Sequence, residues 1–285
     1  MSGARGADAT AGDPGRGTAV DEAGARRSSG TAAGHAGLPV AEPDGAKVLV
    51  LAGLDPSGGA GLFADGDAIR AAGATPLLCA AALTFQSTRR VHGWHPVPPA
   101  HVEAQVRALL DDEPGIRAVK VGMLGAAAAA VASLRERPEL RGVAWVIDPV
   151  LASSSGAPLV DGGARAYDGL LPGAVLTPNA DEAAALSGRP VPTNEDELLR
   201  CAEAIVGRGA RAVIAKGGHL AAEPTDWVVT AEGVLRLPGE RRPGTKRGTG
   251  CRLASFLAAR LATGDDLATS AAAAKGFVAG YLDGR

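Results

Sequence analysis

Short, unbroken apolar runs alternate along this chain with segments of helical spacing. The first run, Val48-Leu49-Val50-Leu51, has no polar alternation, as expected of a strand buried on both faces of a parallel sheet. It passes into a glycine-rich loop, Ala52-Gly53-Leu54-Asp55-Pro56-Ser57-Gly58-Gly59-Ala60-Gly61, and then into a helical segment over residues 62–72 closed by Gly73. The pattern repeats. Further strands are expected over residues 76–83, 118–123, 143–147, 174–176 and 211–215. Helices are expected over 99–111, 126–134, 163–171, 180–186, 195–208 and 266–282. Residues 226–230 and 234–237, joined by Ala231-Glu232-Gly233, read as a hairpin. Such alternation predicts a three-layer α/β/α fold, with a mainly parallel central sheet and helices on both faces. Open sheets of this kind bind ligands beyond the C-terminal ends of their strands.

Residues 1–46 break the pattern. They are rich in Gly, Ala, Arg, Ser, Asp and Pro and hold few large apolar residues. Such a segment cannot bury enough surface to offset the entropy of ordering, so a disordered, low-complexity extension is expected there. It has no apolar core of a secretory signal, and Asp8, Asp13, Asp21 and Glu22 argue against a transit peptide. A start codon placed too far upstream would also account for it. Residues 47–285 suit one large α/β domain. With 29 Lys and Arg against 31 Asp and Glu, and 3% aromatics, the chain has neither a basic stripe nor stacking platforms for nucleic acid. No apolar run is long enough to span a membrane. Cys79, Cys201 and Cys251 form no CxxC pair, which points to a reducing cytoplasm.

The loops at the strand ends carry the candidate chemistry. Gly248-Thr249-Gly250-Cys251 precedes Leu253, Phe256, Leu257 and Leu261 at helical spacing. A glycine-rich turn entering a helix N-terminus offers unpaired N–H groups and a partial positive charge to an anion. Cys251 would stand in that field, which favours the thiolate; the alternative is a small buried Cys. Asp65 is expected on the first turn of the helix after the first strand, either as a dipole-stabilised carboxylate or as a ligand contact. Gln86 can read the edge of a heterocycle or lie at the surface. Asn179 and Glu182, spaced i, i+3 at a helix start, read either as a capping box or as oxygen ligands for Mg²⁺. Lys216, before Gly217-Gly218-His219, can reach a phosphate or sit in an exposed turn. The segment Arg241-Arg242-Pro243-Gly244-Thr245-Lys246-Arg247 is locally basic beside the expected anion site.

Taken together, these motifs resemble the ribokinase-like kinases and, among them, the hydroxymethylpyrimidine/phosphomethylpyrimidine kinases of thiamine biosynthesis. The resemblance runs from about Val48 to the C-terminus. It rests on the loop 52–61 with Ala64-Asp65, on Thr84-Phe85-Gln86-Ser87-Thr88 and on Lys120-Val121-Gly122-Met123-Leu124. It continues through Asp148-Pro149-Val150, Thr177-Pro178-Asn179 with Glu182, Lys216-Gly217-Gly218-His219, and Gly248-Thr249-Gly250-Cys251. The resemblance implies ATP-dependent phosphorylation of an aminopyrimidine and of its monophosphate, by a cytoplasmic homodimer without nucleic-acid or membrane partners. It implies aminopyrimidine contacts at Gly53, Asp65, Gln86 and Val150, and ATP contacts at Asn179, Lys216 and Gly218. Mg²⁺ would be organised by Asn179 and Glu182. Gly248, Thr249, Gly250 and Cys251 would form the anion hole, with Cys251 as the base where most ribokinase relatives have Asp. Pyridoxal kinases carrying the same Cys are the nearest alternative, and a non-catalytic pyrimidine-binding protein is a second. The chain departs from the family pattern at Ser154, Arg247 and Arg252, and the two arginines would place cations around the anion hole.

Overall fold

The computed structural model describes residues 45–153, 156, 158–218, 220, 223–242 and 246–284. Apart from Gly45 and Ala46, the expected N-terminal extension lies outside them, as does Ser154. The strands among the described residues are β1 (Lys47–Leu54), β2 (Thr75–Gln86), β3 (Val91–Pro96), β4 (Ile116–Val121), β5 (Ala144–Ile147), β6 (Val175–Leu176), β7 (Ala212–Lys216), β8 (Asp226–Val229) and β9 (Val234–Leu237). They form one sheet in the order β3-β2-β1-β4-β5-β6-β7-β8-β9. From β2 to β7 every pairing is parallel. β3 and the β8–β9 hairpin are the antiparallel edges.

The helices are α1 (Gly61–Ala71), α2 (Pro99–Asp112), α3 (Ala128–Ser133), α4 (Ala180–Ser187), α5 (Glu195–Gly207), α6 (Thr249–Ala262) and α7 (Leu267–Asp283). Successive side chains of a strand point to opposite faces, and β1 shows what this does to a continuous apolar run. Leu49 and Leu51 join a core with Val102 and Val106 of α2, Val131 of α3 and Ile205 of α5. Val48, Val50 and Ala52 join a second core with Ile69 of α1, Leu253 and Leu257 of α6, and Ala274 of α7. A strand needed by two cores has no polar face, so the unbroken apolar run and the three layers have one cause.

Two local expectations change. The expected strand 76–83 continues to Gln86, because Thr84, Phe85 and Gln86 pair with Trp94, Gly93 and Val91 of β3. β3 itself was not expected; its Gly93 and Pro96 weaken the strand pattern, and pairing with β2 creates it. Residues Gly163–Leu170 form a 3₁₀ helix rather than the expected α-helix. Strand order turns around at β1, with β2 on one side and β4 on the other, so the crevice between the β1 and β4 ends is the place for a ligand.

Candidate active site

The loop after β1 is organised by Asp55. Its buried carboxylate accepts from Ser57 N at 2.8 Å, Ser57 Oγ at 2.7 Å and Ala60 N at 3.0 Å. α1 begins already at Gly61, which moves Asp65 out of the first turn, so the dipole-stabilised reading of this residue does not hold. Asp65 instead points into the protein and is fully buried. Its Oδ1 accepts from Lys120 Nζ at 2.8 Å and from Ser255 Oγ at 2.7 Å. Its Oδ2 is buried with no hydrogen-bond partner among the described residues. Burial outweighs the Lys120 ammonium and pushes the Asp65 carboxyl above its ordinary range. For Lys120, burial opposes the charge, but Asp65, Cys251 and Asp148 outweigh it and raise the ammonium's pKa.

The N-terminus of α6 faces this pair. Its N-cap, Gly248, has φ 73°, and a Cβ there would stand 2.2 Å from Gly59 O. Only glycine allows that approach of the two loops. Among the described residues no side chain caps α6, so the N–H groups of its first turn, from Thr249 to Cys251, are left for an anion. α4, α5 and α7 are capped by Asn179, Asn194 and Asp266. A Cβ on Gly250 would be 3.3 Å from Lys216 Nζ and 3.5 Å from both carboxylate oxygens of Asp148. The open helix end therefore sits directly over an Asp–Lys pair, with Lys216 Nζ 3.4 Å from Asp148 Oδ1. Cys251 is partly accessible. Burial nonetheless pushes its thiol up to about 12, against the Lys120 charge and a Gly61 N–H that both favour the thiolate. The resting form is the thiol, contrary to the expectation drawn from the helix end alone.

Asn179 and Glu182 form the capping box. Asn179 N donates to Glu182 Oε2 at 2.8 Å, and Glu182 N donates to Asn179 Oδ1 at 2.9 Å. The same Glu182 Oε2 lies 3.8 Å from Lys216 Nζ. Lys216 is thus largely buried against two carboxylates, not in an exposed turn; they outweigh the cost of its burial and raise its pKa. Burial pushes the Glu182 carboxyl up to about 7, with Lys216 opposing. Among the described residues no group of three His, Cys, Asp or Glu side chains could hold a metal ion alone. The oxygens of Asn179 and Glu182 are hard donors that suit Mg²⁺ shared with phosphates. Gly218 is exposed in the turn after Gly217, whose N–H donates to Asp226 at 3.2 Å; His219 lies outside the described residues.

On the other side of the β1 end, Val150 packs in a small cluster with Ala82, Met123, Leu159 and Trp94. Gly53 adjoins it: a Cβ there would be 2.8 Å from Met123 Sδ. Tyr167 holds the Val150 carbonyl at 3.1 Å. Gln86 ends β2, and its Oε1 accepts from Arg247 Nη2. Arg252 keeps its guanidinium beside Gly248, where it donates to Gly59 O at 3.0 Å and stacks over Tyr281 at 4.1 Å. Sequence reasoning assigned no role to Lys120, Asp148, Met123 or Ser255. A lysine inside the apolar run of β4 was the available signal for the first, since a buried charge demands a partner. Ser255 carried no signal of its own.

Comparisons with known proteins show the family. Residues 55–284 match the family described as Phosphomethylpyrimidine kinase. Hydroxymethylpyrimidine/phosphomethylpyrimidine kinase of Rhizobium meliloti is 38% identical over 235 residues, covering 81% of this chain and 88% of the relative. The crystal structure of phosphomethylpyrimidine kinase from Clostridium difficile superposes with a TM-score of 0.71 at 28% identity, covering 83% of this chain and 99% of that one. Pyridoxal kinase from Staphylococcus aureus in complex with ADP superposes with a TM-score of 0.75 at 29% identity, covering 84% and 88%. An uncapped helix end bearing Cys251, set between two buried Lys–carboxylate pairs on a ribokinase-like sheet, is thus accompanied by family identity over most of the chain: the protein is a kinase and belongs to the phosphomethylpyrimidine kinase family.

Proposed function

We propose that this chain transfers the γ-phosphoryl group of ATP to 4-amino-5-hydroxymethyl-2-methylpyrimidine and then to its monophosphate, making the diphosphate used in thiamine biosynthesis. The observation that carries this reading is the uncapped α6 N-terminus, placed between Lys120–Asp65 and Lys216–Asp148. The pyrimidine lies against Gly53 and Val150. Asp65 Oδ2, buried and without a hydrogen-bond partner among the described residues, supports a role in accepting from an amino group. Gln86 supplies the opposite polarity. ATP phosphates lie along the first turn of α6, with Lys216 and the Gly217-Gly218 turn beside them, and Asn179 with Glu182 would hold Mg²⁺, which neutralises phosphate charge when bound. Phosphoryl transfer asks mainly for positioning and charge neutralisation, which these groups supply.

In the first step the hydroxymethyl oxygen forms a bond to the γ-phosphorus, ADP leaves, and the hydroxyl proton passes to Cys251 Sγ. That role needs the thiolate, whereas burial keeps Cys251 protonated up to about pH 12. The first step should therefore accelerate by roughly tenfold per pH unit through the neutral and mildly alkaline range. In the second step the acceptor is already anionic and needs no base. Single-turnover rates on both substrates test this: Cys251→Ser should slow the hydroxymethyl step by about 10²–10⁴-fold and the phosphomethyl step far less. An unchanged hydroxymethyl rate removes Cys251 from catalysis. The pyridoxal kinase reading is favoured by the Staphylococcus aureus neighbour, and specificity constants for pyridoxal and the pyrimidine separate the two. A cytoplasmic homodimer completes the proposal. Its supports are the three free cysteines and the exposed Phe63, Leu78, Leu83 and Phe85 on α1 and β2.

A further inference from the structure

Resting on that pyrimidine reading, we infer that Arg247 is a positioning residue for acceptor recognition: it orients the Gln86 carboxamide and so decides which group the ligand meets. Arg247 and Gln86 are 161 residues apart in the chain. Arg247 Nη2 donates to Gln86 Oε1, Nη1 donates to the Ser87 carbonyl, and Nη2 lies 3.7 Å from Asp55 Oδ2. The guanidinium is thus anchored on the end of β2 and on the carboxylate that organises the loop after β1. Its backbone is held from the other side, where Tyr281 Oη donates to the Arg247 carbonyl at 3.1 Å.

A guanidinium has only donors. The carboxamide atom turned toward it must be the oxygen, and the amide orientation follows from chemistry. Nε2 with its two N–H groups is then the end left for the ligand. It suits a ligand atom with an open lone pair, such as an unprotonated ring nitrogen. Gln86 is only partly buried; without Arg247 its amide turns over freely, and ordering it on binding costs affinity. Because Arg247 immediately precedes Gly248, one residue couples the reading of the ring to the start of the anion hole.

A double-mutant cycle tests the inference, read by calorimetric titration of the full-length protein with the hydroxymethylpyrimidine and, separately, with its monophosphate and with ATP. Gln86→Ala should weaken binding by roughly tenfold to a hundredfold and Arg247→Ala by roughly tenfold, while the double variant binds no worse than Gln86→Ala alone. Arg247→Lys should fall between wild type and Arg247→Ala, because a point charge reaches the oxygen without the fork. Gln86→Glu keeps a partner for Arg247 but loses the N–H donors, and should bind as poorly as Gln86→Ala. ATP affinity should not change in any variant. Losses that multiply in the double variant, or wild-type binding by Gln86→Glu, overturn the positioning role while leaving the functional reading intact. A loss confined to the phosphomethyl substrate makes Arg247 a phosphate ligand and also overturns it. Wild-type protein that does not bind the pyrimidine overturns both.

Discussion

Glu182 shows how one side chain serves a helix and a site at once. It closes the capping box with Asn179 and faces Lys216, yet burial lifts its carboxyl from 4.5 to about 7. Between those values the folded chain keeps a proton that the unfolded chain releases, so stability falls as pH rises through this window. Glu182→Gln retains an oxygen for the Asn179 N–H and removes the costly charge. Its thermal midpoint relative to wild type should rise between pH 5 and pH 8 by several degrees, taking about 2–4 °C per kcal/mol for a domain of this size. An offset that stays constant with pH would show that the carboxylate is not strained by burial. Turnover should fall in the same variant if Glu182 organises Mg²⁺. Stability and activity moving in opposite directions would mark a residue kept for function.

At the scale of the element, α6 is a helix whose start is held by its neighbours and not by a cap. Gly59 O approaches Gly248, Arg252 reaches back to the same carbonyl, and Tyr281 of α7 stacks on Arg252. Gly248→Ala introduces a left-handed alanine, costing about 1–2 kcal/mol, and a contact that the Gly59 carbonyl cannot accommodate. Gly264, just beyond the end of α6, also has positive φ (99°), but a Cβ there meets open space. Both variants should therefore lose stability. Only Gly248→Ala should slow single-turnover phosphoryl transfer, by more than tenfold on both substrates, since each misplaced anion-hole donor costs on the order of 10²–10³ in rate. Equal rates in the two variants would remove the α6 start from the chemistry.

For the whole molecule, the two large cores and the strands of the sheet are built, among the described residues, from Ala46 onward. The composition of the residues before it offers little apolar surface to bury. Deleting residues 1–43 should leave the thermal midpoint and the kinetic constants unchanged, as checked by calorimetry and steady-state assay. A fall of several degrees would mean that the segment docks on the domain.

What the chain alone discloses depends on the range of each interaction. Val48 to Leu51 announced a doubly covered strand because burial on both faces forbids alternation. The Asn179–Glu182 box was readable because both halves lie within one helical turn. The order of the glycine-rich loops placed the site at the strand ends. Contacts spanning the chain were not readable: Asp65 meets Lys120 from 55 residues away and Ser255 from 190, and Gln86 meets Arg247 from 161. Spacing carries a period of two or 3.6 residues, whereas these partners are chosen by how α6 packs across the β1 and β4 ends. The same holds for charge. A helix N-terminus argues locally for a Cys251 thiolate, but protein packed around the sulfur opposes it more strongly, and that surrounding exists only once the layers have closed.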